Sequence, residues 1–171
     1  AASDVYKRQQ FQPAGESYAM RYLQSFIDER AKNYSRQISS PQKSSISCGR
    51  LSPYFAWGNI SVRVAYQAVR SAPNYLNQKR AYDSFLSRLK WRSHFIQKFE
   101  VDCTYEFNCI NKGYEKMSYE NNDILLKKWK AGETGFPLVD ASMRCLKHKG
   151  WLNFRMRAML VSFLCHYLCL L

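Results

Sequence analysis

Trp129-Lys130-Ala131-Gly132-Glu133-Thr134-Gly135-Phe136-Pro137-Leu138-Val139-Asp140-Ala141-Ser142-Met143-Arg144 is the stretch on which the reading of the chain turns. Its second half predicts a helix from Pro137 to Lys149, stopped by Gly150 at a C-cap position. Asp140 and Arg144 are spaced for an i,i+4 ion pair on that helix. Upstream, Asn121 to Lys130 reads as helix. Downstream, a last helix is predicted to begin near Leu152, with Arg155 and Arg157 alternating just after its start.

Working outward, every other element also reads as helix or loop. From Gly15 an amphipathic helix is predicted, with Met20, Leu23, Phe26 and Ile27 as one apolar stripe, fading near Tyr34. Ser39 to Ser47 is polar, Ser-rich and broken by Pro41, which predicts a loop of the kind that faces ligands. Ser52-Pro53 reads as an N-cap followed by Pro at the first helical position, in a short helix ending by Gly58-Asn59. Ser61 can cap the next helix, which runs to about Ser71. After a turn at Pro73-Asn74 a long helix carries Tyr82, Phe85, Leu86 and Leu89 and continues to Phe95. Cys103 to Glu120 is irregular and aromatic. No strand pattern or internal repeat is present, so the fold class is all-α.

Composition narrows the function classes. With 46% hydrophobic and 15% aromatic residues, the 171-residue chain is no disordered segment. Lys and Arg number 26 against 13 Asp and Glu, a formal charge of +13. Such an excess favours polyanions such as nucleic acid, although a basic surface alone names no partner. The six cysteines form no C-x-x-C pair, and the three histidines form neither a nucleophile set nor a metal set by spacing. No metal is expected, and hydrolysis has no supporting constellation. Ala158 to Leu171 is apolar apart from Ser162 and His166, but it falls short of the ~20 residues a membrane span needs. A buried core helix is expected there. That helix has no Gly, Asn or Pro to end it, which reads as truncation at the C-terminus. Residues 1–14 are left unassigned, with 15–171 as one partial domain. The absence of a leader pattern implies a cytoplasmic or nuclear protein.

Three segments are more specific than composition. They are Arg50-Leu51-Ser52-Pro53-Tyr54 with Ala56-Trp57-Gly58-Asn59; Phe85-Leu86-Ser87-Arg88-Leu89-Lys90-Trp91-Arg92 with His94-Phe95; and the Trp129–Arg144 stretch leading to Gly150-Trp151-Leu152-Asn153-Phe154-Arg155-Met156-Arg157. In this order and spacing they resemble the C-terminal, FAD-binding helical domain of the DNA photolyase/cryptochrome family, from Gly15 to Leu171. The resemblance implies an FAD cofactor and leaves room for an antenna chromophore in the full-length parent. Its partner would be damaged double-stranded DNA, bound by a monomer with no membrane attachment.

Residue by residue, the resemblance assigns the flavin to Tyr34, Cys48, Gly49, Arg50, Leu51, Ser52, Phe154 and Arg157. Physically, a polar loop before a helix start offers hydroxyls and N–H groups to phosphate oxygens. By itself it reads sooner as an ordinary capped helix start, and the flanking motifs reverse that order. The resemblance places Arg88, Trp91, Arg92 and Arg155 on the DNA side, where a Trp can stack on an extruded base and Arg can meet phosphate. Alone, Trp91 reads as core, and Arg155 and Arg157 as arginines snorkelling from a core helix. Trp129 and Trp151 are assigned to packing. The loop, the tryptophan-bearing helix and the two arginines are expected to converge on one cavity.

The sequence departs from the family at three places. Where photolyases carry a carboxylate or amide that hydrogen-bonds the damaged bases, Arg88 stands, which cannot accept a hydrogen bond. The family's His-Asn pair after Gly150-Trp151 is replaced by Asn153-Phe154. The outer tryptophan of the electron-transfer chain falls, by ungapped count, on Tyr119. Arg88 and Phe154 lean toward a cryptochrome-like photoreceptor, whereas the charge and Trp91-Arg92 lean toward repair. The catalytic residues themselves are unknown, since the family's active-site loop would lie beyond Leu171.

Overall fold

The computed structural model describes residues 12–170, which divide into two compact units. One is Pro13–Lys112 and the other is built on residues 113–170. Among the described residues there are helices and turns and no strand. The all-α class is thus observed.

In the first unit, α1 (Glu16–Asp28) buries Ala19, Leu23, Phe26 and Ile27. This i, i+4, i+7, i+8 stripe is the one a helix of 3.6 residues per turn presents to a core. Met20 is not part of it; one residue past Ala19, it is turned outward and 42% exposed. A 3-10 turn (Arg30–Asn33) and α2 (Tyr34–Gln37) follow. The predicted loop contains one helical turn of its own, α3 (Ser44–Ser47), whose Ser44 and Ser47 are buried. Next, α4 (Ser52–Ala56) starts one residue earlier than expected: Leu51 occupies the cap position, Ser52 is the first helical residue, and no side chain caps the start. For α5 (Val62–Arg70), Ser61 accepts from the Val64 N–H at 3.1 Å, as its sequence predicts.

The longest element, α6 (Lys79–Val101), closes this unit. Its first half buries Ala81, Tyr82, Phe85, Leu86 and Leu89. Phe85 stands 4.6 Å from the Phe26 ring and 6.0 Å from the Tyr34 ring, while the Tyr82 hydroxyl donates to the Ile27 carbonyl at 2.8 Å. Tyr82 also stacks on Tyr75 at 5.8 Å. These contacts tie the end of α1 to α6.

The second unit carries α7 (Asp123–Ala131), α8 (Pro137–Lys149) and α9 (Phe154–Ser162). Asn122 and Asn153 cap α7 and α9 by accepting from the N–H groups of Leu125 and Met156. Gly132 and Gly150 close α7 and α8 at φ 74° and 62°, a backbone region that glycine enters without strain. Val139, Met143, Leu152, Met156, Leu160 and Phe163 form the core, with Trp129 packed against it. The apolar run after Arg157 buries one face only: Leu160, Phe163 and Leu170 are covered, while Val161 and Tyr167 are exposed. Its end widens into a π turn over Phe163–Tyr167, with the Leu168 N–H donating to the Phe163 carbonyl.

Asp140 and Arg144 do not form the expected ion pair. Asp140 instead turns back to the start of its helix. It accepts from the Thr134 N–H at 2.8 Å, the Thr134 hydroxyl at 2.6 Å and the Gly135 N–H at 3.0 Å. Arg144 donates to the Gly132 carbonyl at 2.8 Å. Backbone groups that would otherwise be unsatisfied in the turn outcompete a flexible surface pair.

These bonds, the Thr134 hydroxyl first, hold the Asp140 carboxyl below its usual range. A depressed folded pKa stabilises the fold above the unfolded value near 4, and that contribution is lost as pH falls through the lower folded value. Asp140→Asn is therefore expected to melt below the wild type at pH 7. Thermal melts followed by circular dichroism should show the gap closing as pH drops toward about 2; a gap independent of pH contradicts this role for the carboxylate.

Candidate functional site

The loop that sequence assigned to a dinucleotide spans residues 47–52, between α3 and α4. It is built from beneath by Arg30, a residue the sequence reading did not single out. The half-buried Arg30 guanidinium donates Nη1 to the Cys48 carbonyl and Nη2 to the Tyr22 carbonyl at 2.5 Å, with a longer contact to the Gly49 carbonyl at 3.5 Å. Its Nε donates to Ser25 Oγ at 3.2 Å, and the group lies 5.8 Å from the Tyr22 and Phe26 ring centroids. Burial pulls its pKa below the usual arginine value, and burial likewise pushes the Cys48 thiol up.

Gly49 is buried, and a Cβ there would meet Phe85 Cε2 at 2.7 Å. The loop backbone therefore rests against the edge of the core ring. Arg50 follows in the left-handed region at φ 58°, with Nη1 3.4 Å from the Ser45 carbonyl. Leu51 is buried in the core, and Ser52 is exposed at the uncapped start of α4. Tyr34 is 4% exposed, its ring edge-on to Phe26, and burial pushes its phenol up.

The electrostatics around this loop are one-signed. From Arg30 through Tyr82 the sequence has no Asp or Glu, while it contains Arg30, Lys32, Arg36, Lys43, Arg50, Arg63, Arg70, Lys79 and Arg80. Arg30 donates to three carbonyls and a hydroxyl, and among the described residues no carboxylate lies within ion-pair distance of it. The exposed Ser52 hydroxyl, the N–H groups of an uncapped helix start and the Arg30 and Arg50 cations make a donor set suited to an anion such as a diphosphate, whereas the buried Ser47 hydroxyl is spent on the Lys43 carbonyl. The residues present fit that part of FAD.

The residues assigned to DNA lie on α6. Arg88 is exposed, Trp91 is 51% exposed, and Arg92 is half-buried with its guanidinium 6.0 Å from the Phe55 ring. Trp91 is thus on the surface of its unit, beside His94 and Phe95. On the adjoining flank of α6, a cleft of about 660 Å³ runs against α5, lined by Arg63, Tyr66, Gln67, Lys90, Ser93 and His94 among others. None of the loop residues lines it. Its residues follow ordinary helical spacing, so no local pattern marked them.

In the second unit, Phe154 is 67% exposed, and Arg155 and Arg157 are exposed. Arg157 Nε donates to the Leu152 carbonyl at 2.8 Å, which fixes its stem at the start of α9. Tyr119 is half-buried in the irregular stretch before α7. Trp151 is half-buried, and the Cys145 thiol lies 3.8 Å from its carbonyl. Among the described residues no group of three His, Cys, Asp or Glu side chains is placed to hold a metal, and no helix is long and apolar enough to cross a membrane.

Comparison with known proteins bears on the family and the fold. A family model described as the FAD binding domain of DNA photolyase matches residues 85–171. A deoxyribodipyrimidine photo-lyase of Alkalihalophilus pseudofirmus is 35% identical over 152 residues, which is 88% of this chain and 30% of that protein. A cryptochrome DASH of Synechocystis is 30% identical over 88% of this chain and 31% of its own length. Among solved structures, a class III photolyase from Agrobacterium tumefaciens superposes with a TM-score of 0.87 at 25% identity, over 97% of this chain and 34% of that one. The chain thus spans about a third of the length of the relatives it matches.

The close approach of Gly49 to Phe85 has a measurable consequence. Gly49→Ala is expected to cost about 1–3 kcal/mol in urea unfolding, because the ring has little room to give. Adding Phe85→Leu should recover part of that loss, so that the double variant is less destabilised than the sum of the singles. Strict additivity would show that the two positions do not touch.

Proposed function

This chain belongs to the DNA photolyase/cryptochrome family through its FAD-binding domain, and from that premise we propose that it is part of a blue-light-driven photolyase that repairs pyrimidine dimers in double-stranded DNA. The observation that carries this reading is the loop at 47–52. The exposed Ser52 hydroxyl and the N–H groups at the start of α4, within a run of 53 residues that holds nine Lys and Arg and no Asp or Glu, suit the diphosphate of FAD. When bound, reduced FAD supplies the light-driven electron that splits the dimer.

The protein's own residues bind, orient and set charge. Ser52 and the start of α4 would take phosphate oxygens. Arg157, anchored through Nε to the Leu152 carbonyl, brings a fixed positive charge that favours an anionic flavin ring. On α6, Trp91 presents a half-exposed indole on which an extruded base can stack, and Arg92 can meet the neighbouring phosphate. Arg155 would serve the lesion-side backbone, and Tyr119 would stand in the route that delivers electrons to the flavin.

One observation favours a second reading. Arg88 holds the place of the carboxylate or amide that would receive hydrogen bonds from damaged bases, and Phe154 adds an apolar face where the family is polar. Both suit a cryptochrome-like photoreceptor that binds FAD without repair, and a cryptochrome is among the relatives.

The deciding experiment expresses the full-length protein, records its flavin spectrum and assays blue-light repair of ultraviolet-damaged oligonucleotides. Flavin with repair supports the photolyase; flavin without repair leaves the photoreceptor. Two substitutions refine the site. Arg157→Ala is expected to speed flavin loss during gel filtration by about tenfold; unchanged occupancy removes Arg157 from the pocket. Trp91→Ala should weaken binding to dimer-containing duplex by about 1–3 kcal/mol while sparing intact duplex. Equal losses on both duplexes would mark Trp91 as a packing residue.

A further inference from the structure

We infer that Arg30 is the positioning residue of the diphosphate cradle: it never needs to touch the ligand, because it sets the peptide planes of the loop that does. This rests on the reading of 47–52 as the FAD phosphate loop. The geometry begins with the two carbonyls that Arg30 draws inward, those of Cys48 and Gly49. In a trans peptide the N–H points opposite to the C=O, and no cis peptide is present among the described residues. Turning the Cys48 and Gly49 carbonyls toward Arg30 therefore aims the following N–H groups, of Gly49 and Arg50, away from it.

The same guanidinium joins three parts of the chain. Through Tyr22 and Ser25 it holds α1, through its own backbone the 3-10 turn, and through Cys48 and Gly49 the loop some 18 residues on. A lysine could not reproduce this, because a single ammonium lacks the planar fork that serves several carbonyls at once. Arg30 is half-buried under neutral oxygens, and Glu29 acts on it through the field and not as an ion-pair partner, so an anion at the loop would be its closer opposite charge. Arg50, across the same Cys48, adds a second charge, and burial and the mutual repulsion of the pair both lower the Arg30 pKa.

The test compares wild type, Arg30→Lys and Arg30→Met in the full-length protein. Dissociation constants are measured for FAD and for riboflavin, which lacks the diphosphate, alongside melting temperatures of the flavin-free proteins. Arg30→Met is expected to weaken FAD at least about tenfold while leaving riboflavin within about twofold, and Arg30→Lys should recover little of it. Should the methionine variant fail to fold, the lysine variant carries the same comparison. Equal losses for FAD and riboflavin would overturn the proposal, since they signal general damage to the fold. Unchanged FAD binding in both variants overturns it while leaving the flavin reading intact. A wild type that takes up no FAD overturns both together.

Discussion

The Phe85 ring lies where four segments of the first unit meet. It packs on Phe26 of α1 and Tyr34 of α2, belongs itself to α6, and leaves room for nothing larger than a hydrogen at position 49 of the loop. A dense core transmits such contacts because it has few voids to absorb a shift. The position of the loop backbone is therefore set by the same aromatic packing that stabilises the helices. The anion-suited loop is not appended to the fold; its depth and direction follow from the core beneath it.

Charge acts as the second organising constraint. Across more than fifty residues without a carboxylate, Lys79 pairs with Asp83 just past the end of the stretch, and two of the arginines turn to carbonyls, hydroxyls and rings. Arg30 does so under the loop, and Arg70 does so against Tyr75, which in turn donates to Asp83 at the far boundary of the stretch. Carbonyl dipoles satisfy hydrogen-bonding capacity but leave net charge in place. Positive charge is thus held in place by neutral groups at Arg30 and Arg70.

Much of the architecture was legible in the sequence because helices announce themselves by period and by their ends. The stripe Leu23, Phe26 and Ile27, the Ser61 cap and the Gly150 stop all lie where local rules put them. What local rules missed has a common physical origin in long-range partners. Met20 satisfies the spacing of an apolar face, yet Ala19 takes the inward position. Ser52 resembles a cap, but the burial of Leu51 in the core moves the helix start by one residue. Asp140 and Arg144 have ion-pair spacing, and the turn before their helix claims both. Arg30 reads as one more charge at the end of a charged helix, and only the arrival of a loop 18 residues later gives it partners. For the loop at 47–52, sequence shows its polar members in order, whereas which way each peptide plane faces depends on Arg30 and the core beneath it.

The turn between α7 and α8 closes almost entirely upon itself. The Asp140 carboxylate is occupied by Thr134 and Gly135, Arg144 by Gly132, and a Cβ at Gly132 would strike the Asp140 carbonyl at 2.8 Å. The segment by which this family is most readily known is therefore a signature of architecture, spent on its own hydrogen bonds. A change inside this turn would therefore be felt at the joint of two helices, while solvent-facing positions such as 88 and 154 are free to vary without disturbing it.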